Sequence, residues 1–438
     1  MSNENKLIPE LRFPEFENEG EWDIEALGVL SEIVRGGSPR PIEDYFTSDV
    51  NGLNWLKIAD VPSDSKYITQ TKVKVKKEAL SSTREVSSGD LILSNSMSFG
   101  RPYILKITTC IHDGWIAIRK ISNKTFEDYL YYFISSESSQ SYFQTNAAGA
   151  AVKNLNAEII KLLPIYIPKN KKEQQKIASC FSSLDEVIAA HSQKLELLKD
   201  HKKGIMQNLF PQEGEKVPKY RFKEFENDGE WVEKIFDDIL DITRLAGYEY
   251  SEYWKEDENK EIIALRGYNI GKGTLLLHNL GYISNELSLQ LIRSKLYKGD
   301  IVYPCVGTIG NAVVIEENNK YHIQQNIAKL TPKKDVSPYF ISQFLMGNLG
   351  MREVNKFNAT SSQPNVLVGS LRNFKIFIPK IAEQQKIASC LSSLDALITA
   401  QAEKIEQLKL HKSIRPSKYI FYNFWKLLGS NSESLLMG

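Results

Sequence analysis

The sequence predicts two similar mixed α/β domains of the α+β type. A pair of long antiparallel coiled-coil helices separates them, and a pseudo-two-fold internal repeat relates them. Three observations carry this. Blocks at the start and end of one half recur almost unchanged in the other. Apolar residues after each closing block fall at alternating four- and three-residue steps. Between the blocks lie short β-type runs broken by Gly, Asn and Asp rather than long periodic helices.

The repeat comes first. Arg12 to Trp22 (RFPEFENEGEW) and Arg221 to Trp231 (RFKEFENDGEW) agree at nine of eleven positions. Glu173 to Ile188 (EQQKIASCFSSLDEVI) and Glu383 to Ile398 (EQQKIASCLSSLDALI) agree at thirteen of sixteen. The offsets, 209 and 210 residues, are far too long for a solenoid unit, so a whole domain and its connector are duplicated. Between the blocks the copies diverge around a shared skeleton. Gly89 to Gly100 (GDLILSNSMSFG) matches Gly299 to Gly310 (GDIVYPCVGTIG), and Trp55 to Val61 parallels Ala264 to Ile270. Leu163 to Pro168 parallels Phe374 to Pro379. A shared frame with variable filling is what two modules doing one job on different targets require.

Within that frame Leu91-Ile-Leu, Ile116-Ala-Ile, Ile301-Val-Tyr and Ala312-Val-Val-Ile read as strands. Phe126 to Ile134 and Tyr339 to Met346 read as short helices with aromatic faces. The division is therefore domain 1 (1–168), a first connector (169–210), domain 2 (211–379), a second connector (380–412) and a divergent tail (413–438).

The first connector, Lys171 to about Leu209, contains no proline and one glycine, Gly204. Heptad a and d positions are Ile177, Phe181, Leu184, Ile188, Leu195 and Leu198, repeated as Ile387, Leu391, Leu394, Ile398, Ile405 and Leu408. The polar exception His191 coincides with Gln401. These two either form a register-fixing polar layer or sit solvated at the seam edge. A helix of this length runs about 55 Å at 1.5 Å per residue.

Composition excludes several classes. The chain has 438 residues, 42% of them hydrophobic, with Lys+Arg 55 against Asp+Glu 54, a net charge of +1. Any nucleic-acid partner must be held by local patches. No stretch approaches the ~20 apolar residues of a membrane span, and the polar start is no signal peptide. The four cysteines lie far apart with no C-x-x-C pair, which fits reduced cytosolic thiols rather than a zinc site or a disulfide framework. The expected location is cytoplasmic, with no membrane partner.

The opener and connector blocks, with their heptads, resemble the specificity subunit of type I restriction-modification enzymes from about Leu7 to Lys412. Arg35 to Arg40 (RGGSPR) followed by WLKIADV resembles the Gly-Gly-Thr-Pro region of that family, and the two Gly-Asp blocks resemble its strand and following turn. The resemblance implies that each domain is a target-recognition domain reading half of a bipartite site in double-stranded DNA. It implies connectors that set the spacer and dock two methyltransferase subunits, joined by restriction subunits. S-adenosylmethionine, ATP and Mg would belong to those partners, and this chain would bind no cofactor or metal and catalyse nothing. One departure is the tail: identity between the copies stops at Lys412, and Pro416 would break the helix.

Candidate DNA contacts are polar loop residues. In the first copy they are Arg35, Ser38, Arg40, Lys57, Asp60, Ser96, Ser98, Arg101, Lys153 and Asn154, with Lys72, Lys74 and Lys76 on one strand face. That strand is either a backbone clamp or a solvated edge strand guarded by charge. In the second copy they are Arg244, Tyr248, Arg266, Tyr268, Asn269, Thr308, Asn311, Ser361, Ser362 and Gln363. Arginine reads guanine bidentately, Asn or Gln reads adenine, and lysine mostly holds phosphate. Gly100 and Gly310 are read as turn positions.

Catalytic signals are weak. No Asn-Pro-Pro-aromatic motif occurs, GYNIGK (267–272) is too short for a phosphate-binding loop, and the ExK spacing at Glu258–Lys260 lies in a charge run without a counterpart in the first copy. The competing readings are a bilobed nuclease or hydrolase, and an assembly-impaired or DNA-silent variant caused by the altered tail.

Overall fold

A computed structural model describes residues 9, 12–61, 65–95, 99–147, 155–245, 247–254, 260–357 and 365–413. The chain forms two compact units, one of residues 1–190 with 405–438, the other of residues 191–404. Each long connector helix is thus divided between units, whereas the sequence boundaries mark where those helices begin and end.

The first unit opens with β1 (Asp23–Ala26), α1 (Leu27–Leu30), β2 (Glu32–Arg35), β3 (Phe46–Thr47), β4 (Leu53–Leu56), β5 (Tyr67–Ile68) and β6 (Val73–Val75). It continues through β7 (Arg84–Val86), β8 (Leu91–Ser94), β9 (Pro102–Leu105), β10 (Thr109–Ile111) and β11 (Trp115–Arg119). It closes with α2 (Glu127–Ser135), α3 (Glu137–Asn146), α4 (Ala157–Lys161) and β12 (Pro164–Ile167). One sheet has the order β2-β11-β8-β9-β5, a second the order β3-β6-β4-β10-β7, and β1 pairs with β12. The unbroken apolar runs of β8, β9 and β11 are explained by burial on both faces. Leu91, Leu93, Ile116 and Ile118 meet Tyr129, Leu130 and Ile134 of α2 in the larger core.

Helix α5 (Lys171–Leu209) follows, 39 residues long. The second unit then runs through β13 (Val232–Ile235), α6 (Phe236–Ile239), β14 (Leu240–Thr243), α7 (Gly247–Tyr253), β15 (Ile262–Leu265), β16 (Gly281–Ile283) and α8 (Asn285–Gln290). After these come β17 (Ile301–Pro304), β18 (Val313–Val314), β19 (Tyr321–Ile323), β20 (Ile327–Pro332), α9 (Pro338–Met346), α10 (Asn348–Phe357), α11 (Val368–Arg372) and β21 (Lys375–Ile378). Its sheets are β14-β20-β17-β18, β16-β15-β19 and β13-β21. Helix α12 (Ile381–Ser413) spans 33 residues.

The two nearly identical blocks are identical because they touch. In the first unit Arg12 donates from Nε and Nη2 to both carboxylate oxygens of Glu173, each at 2.7 Å, and Trp22 Nε1 donates to the same carboxylate at 3.2 Å. In the second, Arg221 and Glu383 repeat the fork at 2.8 and 2.7 Å. Both glutamates are fully buried. The next residue, Gln174 or Gln384, donates its amide to the carbonyl of Pro168 or Pro379, fixing the turn from strand to helix.

The four-three stripe of the connectors is buried or half-buried throughout. Its domain-proximal members also complete the cores: Ile177 and Phe181 pack into the first unit's core, and Ile387 and Leu391 into the second's, in a cluster that Ile205 and Leu209 of α5 join. Leu184, Ile405 and Leu408 are buried, and Ile188, Leu195, Leu198, Leu394 and Ile398 are half-buried. In the second unit Gln401 Nε2 donates to His191 Nδ1 at 2.7 Å and to the His191 carbonyl at 2.8 Å, and Lys202 meets Asp395 at 2.6 Å. Residue numbers rise on one segment as they fall on the other, so these segments run antiparallel. In the first unit Lys412, the repeat equivalent of Lys202, pairs with Asp185, the equivalent of Asp395.

Breaking a buried ion pair by removing one partner costs about 3–5 kcal/mol. Arg12→Ala is therefore expected to lower hydrogen-exchange protection in β1, β12 and the start of α5 while leaving β13 and β21 unchanged, and Arg221→Ala to do the converse.

A second expectation concerns acid. His322 is fully buried, with Ser288 Oγ 2.8 Å from Nε2 and Ser294 Oγ 2.9 Å from Nδ1. Burial first, then the charges of Lys295 and Lys329, push it from 6.5 down to about 3. The unfolded chain takes up this proton near its ordinary value, so the folded unit loses stability as pH falls through that window, by up to about 1.4 kcal/mol per pH unit. Denaturant titrations from pH 7 to 4 should show this slope in the native chain and a flatter one in His322→Asn.

Candidate nucleic-acid interface

Each unit contains a parallel strand pair that brings two strand ends to one edge. β4 runs parallel to β10 (Cys110 opposite Trp55), and β15 runs parallel to β19 (Leu265 opposite Ile323). The residues leaving those ends, Lys57 beside His112 and Arg266 beside Gln324, are therefore neighbours.

In the first unit this edge collects Arg35, Ser38 and Arg40 around Asp113. Arg35 Nε donates to the Asp113 carbonyl at 3.0 Å, Ser38 Oγ to its carboxylate at 3.4 Å, and Arg40 Nη2 lies 3.6 Å from the same carboxylate. Asn95 Nδ2 shares the Asp113 carbonyl at 3.0 Å. The glycines of RGGSPR allow the approach: a Cβ on Gly36 would lie 2.1 Å from the His112 carbonyl oxygen, and one on Gly37 2.5 Å from that of Ser82. His112 Nδ1 accepts the Gly114 N–H at 2.9 Å, and burial lowers its pKa against the opposing pull of Asp113, so a neutral imidazole sits at this edge. Lys57 lies over the Phe46 ring at 4.7 Å.

In the second unit the same edge is filled differently. Arg266 Nε donates to Gln324 Oε1 at 3.0 Å, and its Nη1 to Tyr268 Oη at 3.1 Å. Tyr268 donates in turn to the Asn279 carbonyl at 2.8 Å and stacks on His278. Arg244 is exposed and acts on Cys305, whose thiol burial pushes up to about 11 and whose rise the Ala328 backbone N–H and then the Arg244 charge oppose. Tyr248 is exposed on α7.

Several expected contacts have structural work instead. Asn269 is fully buried; its Oδ1 accepts the Arg266 N–H at 3.0 Å and its Nδ2 donates both hydrogens, to the carbonyls of Leu276 and His278, each at 2.9 Å, so no donor is left for a base and burial shields the side chain. Asp60 accepts the Lys57 N–H at 3.0 Å as a turn cap. Thr308 and Asn311 donate to the carbonyls of Gly267 at 3.1 Å and Ile270 at 2.8 Å, holding one loop on the other. The strand at Lys72, Lys74 and Lys76 is no edge: β6, which carries Lys74 and is flanked by Lys72 and Lys76, lies between β3 and β4. Lys74 and Lys76 tie to the carbonyls of Val50 and Asp44. Arg101 lies apart from the Asp113 cluster, 5.3 Å over Tyr103 and donating to the Ser65 carbonyl at 3.4 Å. Gly100 and Gly310 have φ of 70° and 90°, as turn glycines should. Ser96, Ser98, Lys153, Asn154, Ser361, Ser362, Gln363 and the tail from 414 lie outside the described residues.

The residues that organise each edge, Asp113 and Gln324, were absent from the sequence candidates. Both sit in the turn after an apolar strand (IHDGW, IQQNI). The offset between those turns differs by two residues from the repeat's 210, which hides the match. Among the described residues no group of three or more His, Cys, Asp or Glu could hold a metal ion, and no helix is long and apolar enough to cross a membrane.

Comparison with known proteins follows the same halves. The family model described as the type I restriction modification DNA specificity domain matches residues 19–200 and 229–410. The type I restriction enzyme MjaVIII specificity subunit of Methanocaldococcus jannaschii is 23% identical over 414 residues, spanning 92% of this chain and 91% of that one. The MjaIX specificity subunit of the same organism is 23% identical over 421 residues, spanning 92% and 93%. A type I restriction-modification S subunit from M. genitalium shares the fold with a TM-score of 0.53 at 14% identity, covering 92% of this chain and 96% of its own. A structure concerned with complex assembly and conformational transition of the type I restriction-modification system shares it with a TM-score of 0.56 at 15% identity, covering 90% and 95%.

The edge in the second unit yields a test. Arg266→Ala should relax base preference at one position by about 1–3 kcal/mol in competition against single-mismatch duplexes. Gln324→Leu, which removes the carbonyl orienting that guanidinium, should relax the same position by less. Asn269→Ala should lower stability without moving base preference.

Proposed function

Because the chain belongs to the type I restriction-modification DNA specificity family, both of its halves matching that family's model, we propose that its two domains each read one half of a bipartite, asymmetric site in double-stranded DNA. The observation that carries the reading is one edge built twice with different side chains. Arg35, Ser38 and Arg40 gather at Asp113 in one unit, and Arg266 and Tyr268 at Gln324 in the other. A shared frame bearing unlike donors suits two unlike half-sites. Loops held by Asn269, Thr308 and Asn311 present those donors at fixed positions, which base readout by hydrogen bonding requires.

On this reading the chain is a non-catalytic recognition subunit. The connector helices set the spacer between half-sites and dock two methyltransferase subunits, and restriction subunits join that core. S-adenosylmethionine, ATP and Mg would be bound by those partners and not by this chain. The exposed residues flanking the buried four-three stripe of α5 and α12 support a docking role. The pairing of Lys412 with Asp185 supports a second helix that keeps its register up to the point where the repeat ends.

Methylome sequencing of cells expressing the chain with its cognate methyltransferase, against the methyltransferase alone, tests the proposal. The expected result is a bipartite motif of methylated adenines present only with the chain, of which replacement of residues 1–168 changes one half. A chain that binds the methyltransferase yet directs no motif would count against DNA reading.

A further inference from the structure

The second unit carries a basic cleft that the edge described above does not use. It lies between α5, α9 and α10, with a volume of about 400 Å³. Lys199 and Lys203 of α5, Lys272, and Arg352 of α10 line it, with Lys202 and Asp395 at its side. Asp395 is its one acid and is already engaged, by Lys202 at 2.6 Å and by the Gln343 amide at 2.8 Å. Lys203, Lys272 and Arg352 are exposed, and none has an ion-pair partner among the described residues. Three uncompensated cations around one cleft repel each other, and folding gives no reason to collect them. An anionic ligand does.

Two further observations select the ligand. The cleft is continuous with the candidate base-reading edge. Lys272 bridges to Ala312, Gly273 N–H donates to the Ala312 carbonyl at 3.0 Å, and Asn311 donates to Ile270 at 2.8 Å, so the loop bearing Arg266 and Tyr268 also bears Lys272. In sequence the three free cations are also not repeated in the first copy. The positions of Arg352 and Asn348 on α10 correspond to Ser141 and Glu137 on α3, and Lys203 corresponds to Ser413. The contact is thus particular to the second unit, whose reading edge the adjoining loop also bears. Phe210 and Phe344 lie buried at the floor, and the exposed lining consists of the cations with the neutral polar Gln207, Asn348 and Thr399, so a polyanion crossing the opening meets no exposed acid of the cleft.

We propose that this cleft holds the phosphate backbone of the DNA flanking the half-site read by the second unit, an interaction that adds affinity without sequence preference. The proposal rests on the DNA-reading function above. The test uses the full chain assembled with its methyltransferase and a duplex carrying the methylation motif. Binding is measured from low to high salt for the native chain, for Lys203→Gln/Lys272→Gln/Arg352→Gln, and for the charge-conserving Lys203→Arg/Lys272→Arg/Arg352→Lys. The neutral variant should flatten the dependence of log affinity on log salt by about 2–3, near 0.9 for each phosphate that is no longer neutralised. It should weaken cognate and single-mismatch duplexes by the same factor and leave the methylation motif and melting temperature unchanged. The charge-conserving variant should keep the native slope.

A neutral variant with the native slope, in a chain that still directs a methylation motif, overturns the proposal while leaving the DNA-reading function standing. Loss of a partner subunit with the slope unchanged also overturns it and assigns the cleft to an acidic protein segment. A native chain that directs no motif and binds no duplex overturns both.

Discussion

A buried arginine–glutamate fork ties the opening of each domain to the first turn of the helix that follows it. Arg12 and Glu173 form it in one unit, and Arg221 and Glu383 in the other. Each glutamate is fully buried, so its charge is tolerated only because the guanidinium meets it with two parallel donors. The consequence is mechanical. The β1–β12 and β13–β21 pairs close each domain immediately before the helix, and the glutamine after the glutamate holds the last strand carbonyl. A helix rooted in this way leaves its domain in one direction rather than swinging on a loop. Everything the connector does beyond its root inherits that direction.

The roots explain the conservation between copies, and the edges explain the divergence. Residues of the fork have no freedom, because each substitution strands a buried partner. Residues at the strand ends meet solvent, and the frame beneath them is held by backbone and by buried amides such as Asn269. The two units can therefore carry a carboxylate organiser, Asp113, in one and a carboxamide organiser, Gln324, in the other without altering the strands that deliver them. Chemistry varies where the backbone is already satisfied from below.

The connectors show a similar separation of tasks. Their domain-proximal apolar residues complete the cores, while farther along polar pairs appear: His191 with Gln401, Lys202 with Asp395, Lys412 with Asp185. An apolar stripe alone tolerates a shift by one heptad, because leucine replaces leucine. A histidine facing a glutamine and a lysine facing an aspartate do not, since a shift leaves half-buried polar groups without partners. Register is thereby assigned to a few polar residues, and affinity between the segments to the rest.

Much was legible in the chain alone, for physical reasons that can be named. Duplication is written directly in the letters. Heptads repeat over so many turns that the extent of α5, Lys171 to Leu209, followed from spacing alone, and short strands bounded by glycine and asparagine announced β8, β11 and β17. The local sequence also nominated Arg35, Ser38, Arg40, Arg266 and Tyr268, because polar residues in loops beside strands are where contacts arise. It could not say which of them converge, or on what. Asp113 lies far along the chain from Arg35 and Ser38, and only long-range strand pairing carries distant turns to a common edge: β2 against β11 with β4 beside β10 in one unit, β15 beside β19 in the other. Nor could it separate an asparagine that faces a ligand from one that holds a loop: Asn269 and Asn311 have the same side chain as any base reader, and burial and partners alone decide. The placement of Lys74 on an interior strand, with Lys72 and Lys76 at its ends, was likewise a matter of sheet order. Periodicity and repetition are local properties that sequence determines by itself, whereas convergence depends on long-range pairing, which exists only once the chain has folded.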